Sequence, residues 1–121
     1  LVLEPAYSLA LVNLGAIYYT KGDKPNAKAA FEAAARSAPH LARAQFNLGV
    51  IATEEGNVDE AIAYYERALE DDPAFMDAYV NLSFLLYQLG RREEGRVYFE
   101  AAQKIAPDYP NVLILERMYA P

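Results

Sequence analysis

The sequence predicts an all-α fold built from repeated helix pairs, and two observations support that prediction. The first is a 34-residue period shared by several residue types. Its columns are Pro5, Pro39, Pro73 and Pro107; Gly22, Gly56 and Gly90; Asn13, Asn47 and Asn81; and Phe31, Tyr65 and Phe99. The second is that apolar residues between these markers recur at three- and four-residue steps, the spacing of one helix face. A repeat of this length indicates stacked helical hairpins.

The first helix of the middle unit is predicted over 41–55. Ala44, Leu48 and Ile51 lie at three- and four-residue steps and therefore share one side of a helix. Gly56 follows, and glycine adopts the left-handed conformation that ends a helix at little steric cost.

The second helix of the middle unit is predicted over 58–71. Asn57, with Glu60 three residues later, resembles a capping box at its start. Pro73 closes the unit, because a proline disfavours a helical residue before it. The same reasoning predicts the remaining helices over 7–21, 24–37, 75–89 and 92–105.

These helices form one predicted domain with three complete units. The units span 8–41, 42–75 and 76–109, and a C-terminal helix spans 110–119. One hairpin cannot bury its apolar face alone, so about three stacked units are a practical minimum for stability. The C-terminal helix is apolar on several sides, so we expect it to continue into further repeats or to be buried by another surface.

The repeated unit resembles the tetratricopeptide repeat. The residues that carry the resemblance are Asn13-Leu14-Gly15, Tyr18, Ala27, Phe31, Ala34 and Pro39; then Asn47-Leu48-Gly49, Ala61, Tyr65, Ala68 and Pro73; then Asn81-Leu82-Ser83, Gly95, Phe99, Ala102 and Pro107. It covers residues 8–109 and implies a right-handed α-solenoid of antiparallel helix pairs. It also implies that the first helix of each unit lines a concave groove, where ligands of the family usually lie.

The third unit departs from the family pattern at two small residues. The family's glycine and alanine, which pack across the hairpin, are replaced by Ser83 and Gly95. We expect the smaller glycine to accommodate the larger serine, although glycine costs about 1 kcal/mol of helix propensity relative to alanine. The second unit also departs from the family pattern, because Gln45 is a polar residue at a column where packing is expected.

The composition excludes several kinds of function. The net charge of −6 argues against nucleic acid, since phosphate binding needs a basic surface. Cysteine is absent, which removes thiolate sites without fixing a compartment, although a cytoplasmic location is the expectation. The single histidine, His40, is expected at the surface of a turn, and the serines lack a histidine partner. We therefore expect no enzyme activity, no cofactor, no metal and no membrane insertion.

The concave face is the predicted site. Its expected residues are those on the first helices that packing does not use: Val12, Asn13, Ala16, Tyr19, Arg43, Phe46, Asn47, Val50, Val80, Asn81, Phe84 and Tyr87. The apolar members would form an exposed patch, which usually marks a binding site. The alternative is that the last helix or a neighbouring segment covers this face.

The asparagine column suits an extended peptide, because an amide side chain offers both a donor and an acceptor to main-chain groups. The resemblance also argues against one subfamily, which clamps a terminal carboxylate with cations. The columns of those cations hold Val12, Asp77 and Asn81, and only Asn47 fits. We therefore expect an apolar or amphipathic protein segment as the ligand.

Three functions remain open at this point. The first is a scaffold that binds a peptide or helical segment in the groove. The second is a self-assembly module that uses the apolar groove and the C-terminal helix to form a homo-oligomer. The third is a substrate-presenting arm of a larger enzyme.

Overall fold

The computed structural model describes residues 5–37 and 41–121. They form α-helices without any strand in these two ranges, and His40 lies outside them. The helices are α1 (Pro5–Thr20), α2 (Lys24–Ser37), α3 (Ala42–Glu54), α4 (Val58–Asp71), α5 (Met76–Gln88), α6 (Arg92–Ile105) and α7 (Pro110–Met118). The predicted all-α fold is confirmed.

A glycine ends the first helix of each hairpin. Gly22, Gly56 and Gly90 have φ values of 82°, 80° and 78°, a region that glycine enters without a Cβ penalty. In the first two turns, the next residue donates its N–H to a carbonyl five residues back, Asp23 to Tyr18 and Asn57 to Ala52, both at 2.9 Å. This bond satisfies one of the carbonyls that the helix end would leave without a partner.

The chain divides into two compact units, with the boundary between Asp72 and Pro73. In the first unit, α1 packs on α2, α2 packs on α3, and α3 packs on α4. Its core contains Val12 of α1, Ala27, Phe31 and Ala34 of α2, and Ala44, Leu48 and Ile51 of α3. Because α2 contributes to both of its neighbours, the second helix of one hairpin joins it to the first helix of the next.

In the second unit, α7 packs on both α5 and α6. Its core contains Val80 of α5, Phe99 and Ala102 of α6, and Val112, Leu115 and Tyr119 from α7 and its C-terminal end. The Tyr119 ring stacks on Phe99 with centroids 5.3 Å apart and planes 8° apart. The C-terminal helix therefore buries one side against its own hairpin, whereas Leu113 and Ile114 on another side remain exposed.

Arginines of α6 hold the end of α7. Arg92 donates to the Ala120 carbonyl at 2.9 Å, and Arg96 donates to the Tyr119 carbonyl at 3.0 Å. Arg92 also donates to the carbonyl of Met118, the last residue of α7, at 3.3 Å. Cationic donors are favourable there, because the last carbonyls of a helix lack intrahelical partners and carry partial negative charge. These bonds fix the position at which the Tyr119 ring enters the core.

Two local expectations need correction or comment. The predicted capping box at α4 is not formed, because the Asn57 side chain makes no capping hydrogen bond to the helix. Gln45 is buried as its column predicts, and its Oε1 has no hydrogen-bond partner among the described residues. Within the described residues, no helix has both the length and the apolar character needed to cross a bilayer.

Candidate functional site

A pocket of about 140 Å³ opens between the first helices of the first two hairpins. Its lining comes from three helices: Ala16, Tyr19 and Thr20 of α1, Phe31 of α2, and Asn47 and Val50 of α3. Ala16, Tyr19, Asn47 and Val50 were predicted as concave-face residues, so the structure brings four members of the predicted set together. The six lining residues carry no formal charge.

The floor of the pocket depends on a glycine. A Cβ atom at Gly15 would lie 2.5 Å from the Phe31 ring, closer than side chains pack. Glycine therefore lets the ring of Phe31 reach the backbone of α1, where it is 2% exposed. The same relation holds in the next hairpin, where a Cβ at Gly49 would lie 2.7 Å from the Tyr65 ring.

Tyr19 lies at the rim of the pocket and connects α1 to α3. Its hydroxyl donates to the Glu54 carboxylate at 2.6 Å, and Lys24 of α2 lies 3.5 Å from the other Glu54 oxygen. The hydrogen bond to Glu54, followed by burial, raises the pKa of Tyr19 to about 12. The Tyr19 hydroxyl therefore stays protonated at neutral pH, and the Glu54 carboxylate that accepts its hydrogen bond is also paired with Lys24 of α2.

The asparagine column does not form a uniform surface. Asn13 is exposed on α1, Asn47 lies in the pocket wall, and Asn81 is half-buried on α5. No protein group within the described ranges hydrogen-bonds to the Asn47 amide, which leaves its donor and acceptor available to a ligand.

Two predicted site residues belong to the core instead. Val12 is 6% exposed and packs in the first core with α2 and α3. Val80, at the equivalent position, is 8% exposed and packs with α7. The expectation that both are exposed in the groove is wrong, because Val12 lies in a core with residues of α2 and α3, and Val80 lies in a core with residues of α6 and α7.

The remaining predicted residues lie outside the pocket lining. Arg43 is exposed, and its guanidinium lies 5.9 Å from the centroid of Phe46, whose ring in turn packs on Tyr65. In the second unit, Phe84 is 42% exposed. Tyr87 is half-buried with its ring edge-on to Tyr119, 5.3 Å between centroids. The last helix therefore covers part of the α5 surface, which is the alternative raised by the sequence.

Phe31 carries the family resemblance and was not among the predicted site residues, yet it lines the pocket. The sequence does contain a pattern that indicates this position: a glycine on the first helix recurs together with an aromatic residue on the second, as in Gly15 with Phe31 and Gly49 with Tyr65. A small residue on the first helix opens the space that the ring enters, and the ring edge then reaches the pocket.

Among residues 5–37 and 41–121, no three histidine, aspartate or glutamate side chains are grouped so that they could hold a metal ion. The pocket offers an amide, two hydroxyl groups and apolar walls.

Matches to known protein families identify the repeat. Two tetratricopeptide repeat profiles match, over residues 12–74 and 52–118. The chain belongs to the tetratricopeptide repeat family. The seven helices of the described ranges fit three tandem repeats of this family followed by α7. A comparison with curated proteins gave no significant match.

Solved tetratricopeptide repeat structures share the fold. The first TPR of Spaghetti (RPAP3), bound to the HSP90 peptide SRMEEVD, is similar with a TM-score of 0.88 and 15% identity, over 97% of this chain and 95% of that one. The TPR2AB domain of yeast Sti1 in complex with pHSP90 has a TM-score of 0.84 and 25% identity, over 97% of this chain and 46% of that one. YrrB, described as a TPR protein with an unusual peptide-binding site, has a TM-score of 0.80 and 23% identity, over 91% and 57% of the two chains.

Proposed function

We propose that this tetratricopeptide repeat chain is a protein-interaction scaffold that binds an apolar or amphipathic peptide segment at the pocket between α1 and α3. The observation that supports this most directly is the pocket itself, because four predicted concave-face residues line it. Asn47 offers hydrogen bonds to the peptide main chain, while Val50, Ala16 and Phe31 offer apolar contact to a side chain.

The uncharged lining favours an apolar ligand over a terminal carboxylate. Strong binding of a carboxylate relies on charge-assisted hydrogen bonds from arginine or lysine. The pocket walls supply neither residue, and the Glu54 carboxylate beside Tyr19 is already paired with Lys24. The similar structures of Spaghetti and yeast Sti1 hold HSP90 segments, which supports a peptide ligand for this fold.

The test is a peptide-library selection against the whole chain, repeated on the Asn47→Ala variant. We expect the selected peptides to lose about tenfold in affinity, the equivalent of about 1.4 kcal/mol, which one or two lost hydrogen bonds supply. Asn111→Ala is the matched control, since Asn111 is an exposed asparagine on α7. Unchanged affinity for Asn47→Ala, or an equal loss for both variants, would argue against the pocket.

A second candidate is self-association through α7. Leu113 and Ile114 are 48% and 54% exposed on neighbouring positions of this helix, and such a pair offers apolar contact to a second copy. Sedimentation of the chain over a wide concentration range tests it. A monomer at every concentration would remove this candidate and leave the peptide-binding proposal untouched.

A further inference from the structure

The pocket between α1 and α3 has the size of one six-membered ring. Its volume is about 140 Å³, and an apolar cavity of about 150 Å³ is enough for a benzene molecule. The side chains of Ala16, Val50 and Phe31 give it apolar walls. A single side chain of a ligand therefore fills the pocket, and two fused rings would extend beyond it.

Both hydroxyl groups of the pocket lining have already used their only hydrogen atom. Thr20 donates its hydroxyl to the carbonyl of Ala16 at 2.9 Å, and Tyr19 donates its hydroxyl to Glu54 at 2.6 Å. A hydroxyl group carries one hydrogen and two lone pairs. Toward a ligand, these two oxygen atoms can therefore only accept a hydrogen bond.

Among the six lining side chains, Asn47 is the one that can still donate. Its amide has two N–H donors and an oxygen with two lone pairs, so it can bond a ligand side chain and the ligand main chain together. The polar part of the pocket thus combines several acceptors with one donor group. A hydroxyl on the ligand suits it, because a hydroxyl both donates and accepts, whereas a carboxylate only accepts and an indole N–H only donates.

The third hairpin contains a tyrosine ring packed against the same two columns. Tyr87 and Phe99 lie two repeat periods after Tyr19 and Phe31. The ring of Tyr119 stacks on Phe99 with centroids 5.3 Å apart, and Tyr87 meets it edge-on at the same distance. An aromatic ring with a hydroxyl group therefore suits the surface that these two columns form.

We propose that the pocket binds the unphosphorylated side chain of a tyrosine in the partner peptide. This inference rests on the proposed function, since it names the residue that the peptide places in the pocket. Two periods before Tyr119 the chain has Ile51, an aliphatic residue of the first core, so the ring is left for the ligand to supply. The ring packs against Val50 and the edge of Phe31, while its hydroxyl exchanges hydrogen bonds with Asn47.

Phosphorylation of the ligand tyrosine is expected to prevent binding. A phosphate group carries about −1.5 to −2 charges at pH 7 and adds acceptor oxygens. The lining contains no lysine or arginine, and Lys24 is already paired with Glu54. The phosphate would therefore meet acceptor oxygens with a single amide to donate to it, so the pocket distinguishes the two states of the ligand.

The test uses four small probes and the whole chain at neutral pH. The probes are the N-acetyl amides of tyrosine, phenylalanine, leucine and O-phosphotyrosine. Their main-chain groups are identical, so differences in affinity report on the side chain alone. Chemical-shift perturbation of the Val50 methyl signals and of the Asn47 side-chain amide signals measures the dissociation constants.

We expect the tyrosine probe to bind about fivefold more tightly than the phenylalanine and leucine probes, which is the contribution of about one hydrogen bond. Apolar burial alone predicts the opposite order, because burying a hydroxyl group without a partner costs free energy. The phosphotyrosine probe should leave the Val50 and Asn47 signals unshifted.

Two variants locate the bound ring. Asn47→Leu removes the amide with little change in side-chain size, so the phenylalanine probe should then bind more tightly than the tyrosine probe. Asn111→Leu is the matched control, since Asn111 is exposed on α7, and it should keep the original order. Ala16→Leu fills the pocket from the α1 wall and should weaken binding of the tyrosine, phenylalanine and leucine probes at least tenfold.

Several results would overturn the inference. One is a phenylalanine, leucine or phosphotyrosine probe that binds the unaltered chain as tightly as the tyrosine probe, and another is tyrosine binding that survives Ala16→Leu. Dissociation of a dimer of the unaltered chain by the tyrosine probe is a third, because the occupant would then be a tyrosine of a second copy.

The proposed function and this inference can fail separately. Library peptides that need Asn47 but show no preference for tyrosine would overturn the inference and leave the proposed function in place. If no selected peptide depends on Asn47, the proposed function fails and the inference fails with it.

Discussion

Tyr19 joins α1 to α3 at the rim of the pocket through a single hydrogen bond to Glu54. The phenol donates to Glu54 at 2.6 Å, and this bond is lost if the phenol ionises beside the carboxylate. The raised pKa of about 12 has this hydrogen bond as its largest cause. The bond thus stabilises the fold only while the phenol keeps its proton.

We predict that Glu54→Gln lowers the pKa of Tyr19 toward its ordinary value of 10. The sign of the pH dependence follows from the raised folded pKa. The stabilisation is fully present below pH 10, the pKa of the unfolded phenol, and is lost as the pH rises toward 12. NMR titration of ¹³C-labelled tyrosine measures the shift.

If Glu54→Gln leaves the pKa of Tyr19 unchanged, the hydrogen bond to Glu54 does not persist in solution.

The residue scale also marks where prediction from sequence ends. The 34-residue columns identified Ala16, Tyr19, Asn47 and Val50, because pocket residues recur with the period. They could not separate Val12 and Val80 from the groove, since a helix position is exposed or buried according to the neighbour that packs on it. The core neighbours of Val12 come from α2 and α3, and those of Val80 come from α6 and α7. Periodicity alone does not give the angles at which these helices approach.

At the scale of elements, the C-terminal end of α7 adds the Tyr119 ring to the core of the third hairpin. In the first two hairpins, an aromatic ring of the second helix packs on a glycine of the first, as Phe31 does on Gly15. In the third, Ser83 occupies the glycine column, and the space left by Gly95 is used by Tyr119. The Tyr119 hydroxyl donates to the Ser83 carbonyl at 2.6 Å and would contact a Cβ added at Gly95.

We predict that Gly95→Ala destabilises the chain by about 1–3 kcal/mol through overpacking, despite a gain of about 1 kcal/mol in helix propensity. The added Cβ would meet the Tyr119 hydroxyl and lie 3.1 Å from the Ser83 carbonyl oxygen. Urea unfolding measures the free energies of unfolding.

Tyr119→Phe provides the double-mutant partner, because it removes the hydroxyl that the new Cβ would meet. Gly95→Ala should cost less in the Tyr119→Phe background than in the unaltered chain. Additive effects of the two substitutions would mean that Tyr119 does not occupy the space beside Gly95.

Element bounds were the part of the fold that sequence determined best. The predicted helices over 24–37, 58–71 and 92–105 have the bounds observed for α2, α4 and α6. The ends of these helices were predictable because glycine and proline act on the backbone of the residues next to them in the sequence. The side on which α7 packs depends on Tyr119 and on Arg92 and Arg96 of α6. A contact between residues so far apart in the sequence has no local pattern that predicts it.

At the scale of the whole molecule, stability is divided between two compact units. Each has its own core, one built around Phe31 and Ile51 and the other around Phe99 and Leu115. In helical repeats, stability is approximately a sum of the contributions of units and of their nearest neighbours. A core substitution should therefore act first on its own unit.

We predict that Leu115→Ala raises hydrogen exchange in α5, α6 and α7 while α1 and α2 keep their protection. Leu115 is 1% exposed, and replacing a buried leucine by alanine lowers the free energy of unfolding by about 2–5 kcal/mol. Native-state hydrogen exchange, resolved by residue, measures the effect.

Ile51→Ala is the reciprocal variant, since Ile51 is 1% exposed in the first core. It should raise exchange in α1 to α3 and spare α7. Equal loss of protection in all seven helices after either substitution would show that the chain unfolds as one cooperative body.

The hydrogen bond from Tyr119 to Ser83 has a further consequence for how the chain folds. It spans 36 residues, little more than the 35 between Tyr19 and Glu54. Partners so near in sequence need only small loops to close, and low contact order goes with fast folding. The core of the third hairpin also needs Tyr119, which follows that hairpin in the sequence. We therefore expect the folding kinetics to contain a phase whose rate changes when Tyr119 is substituted.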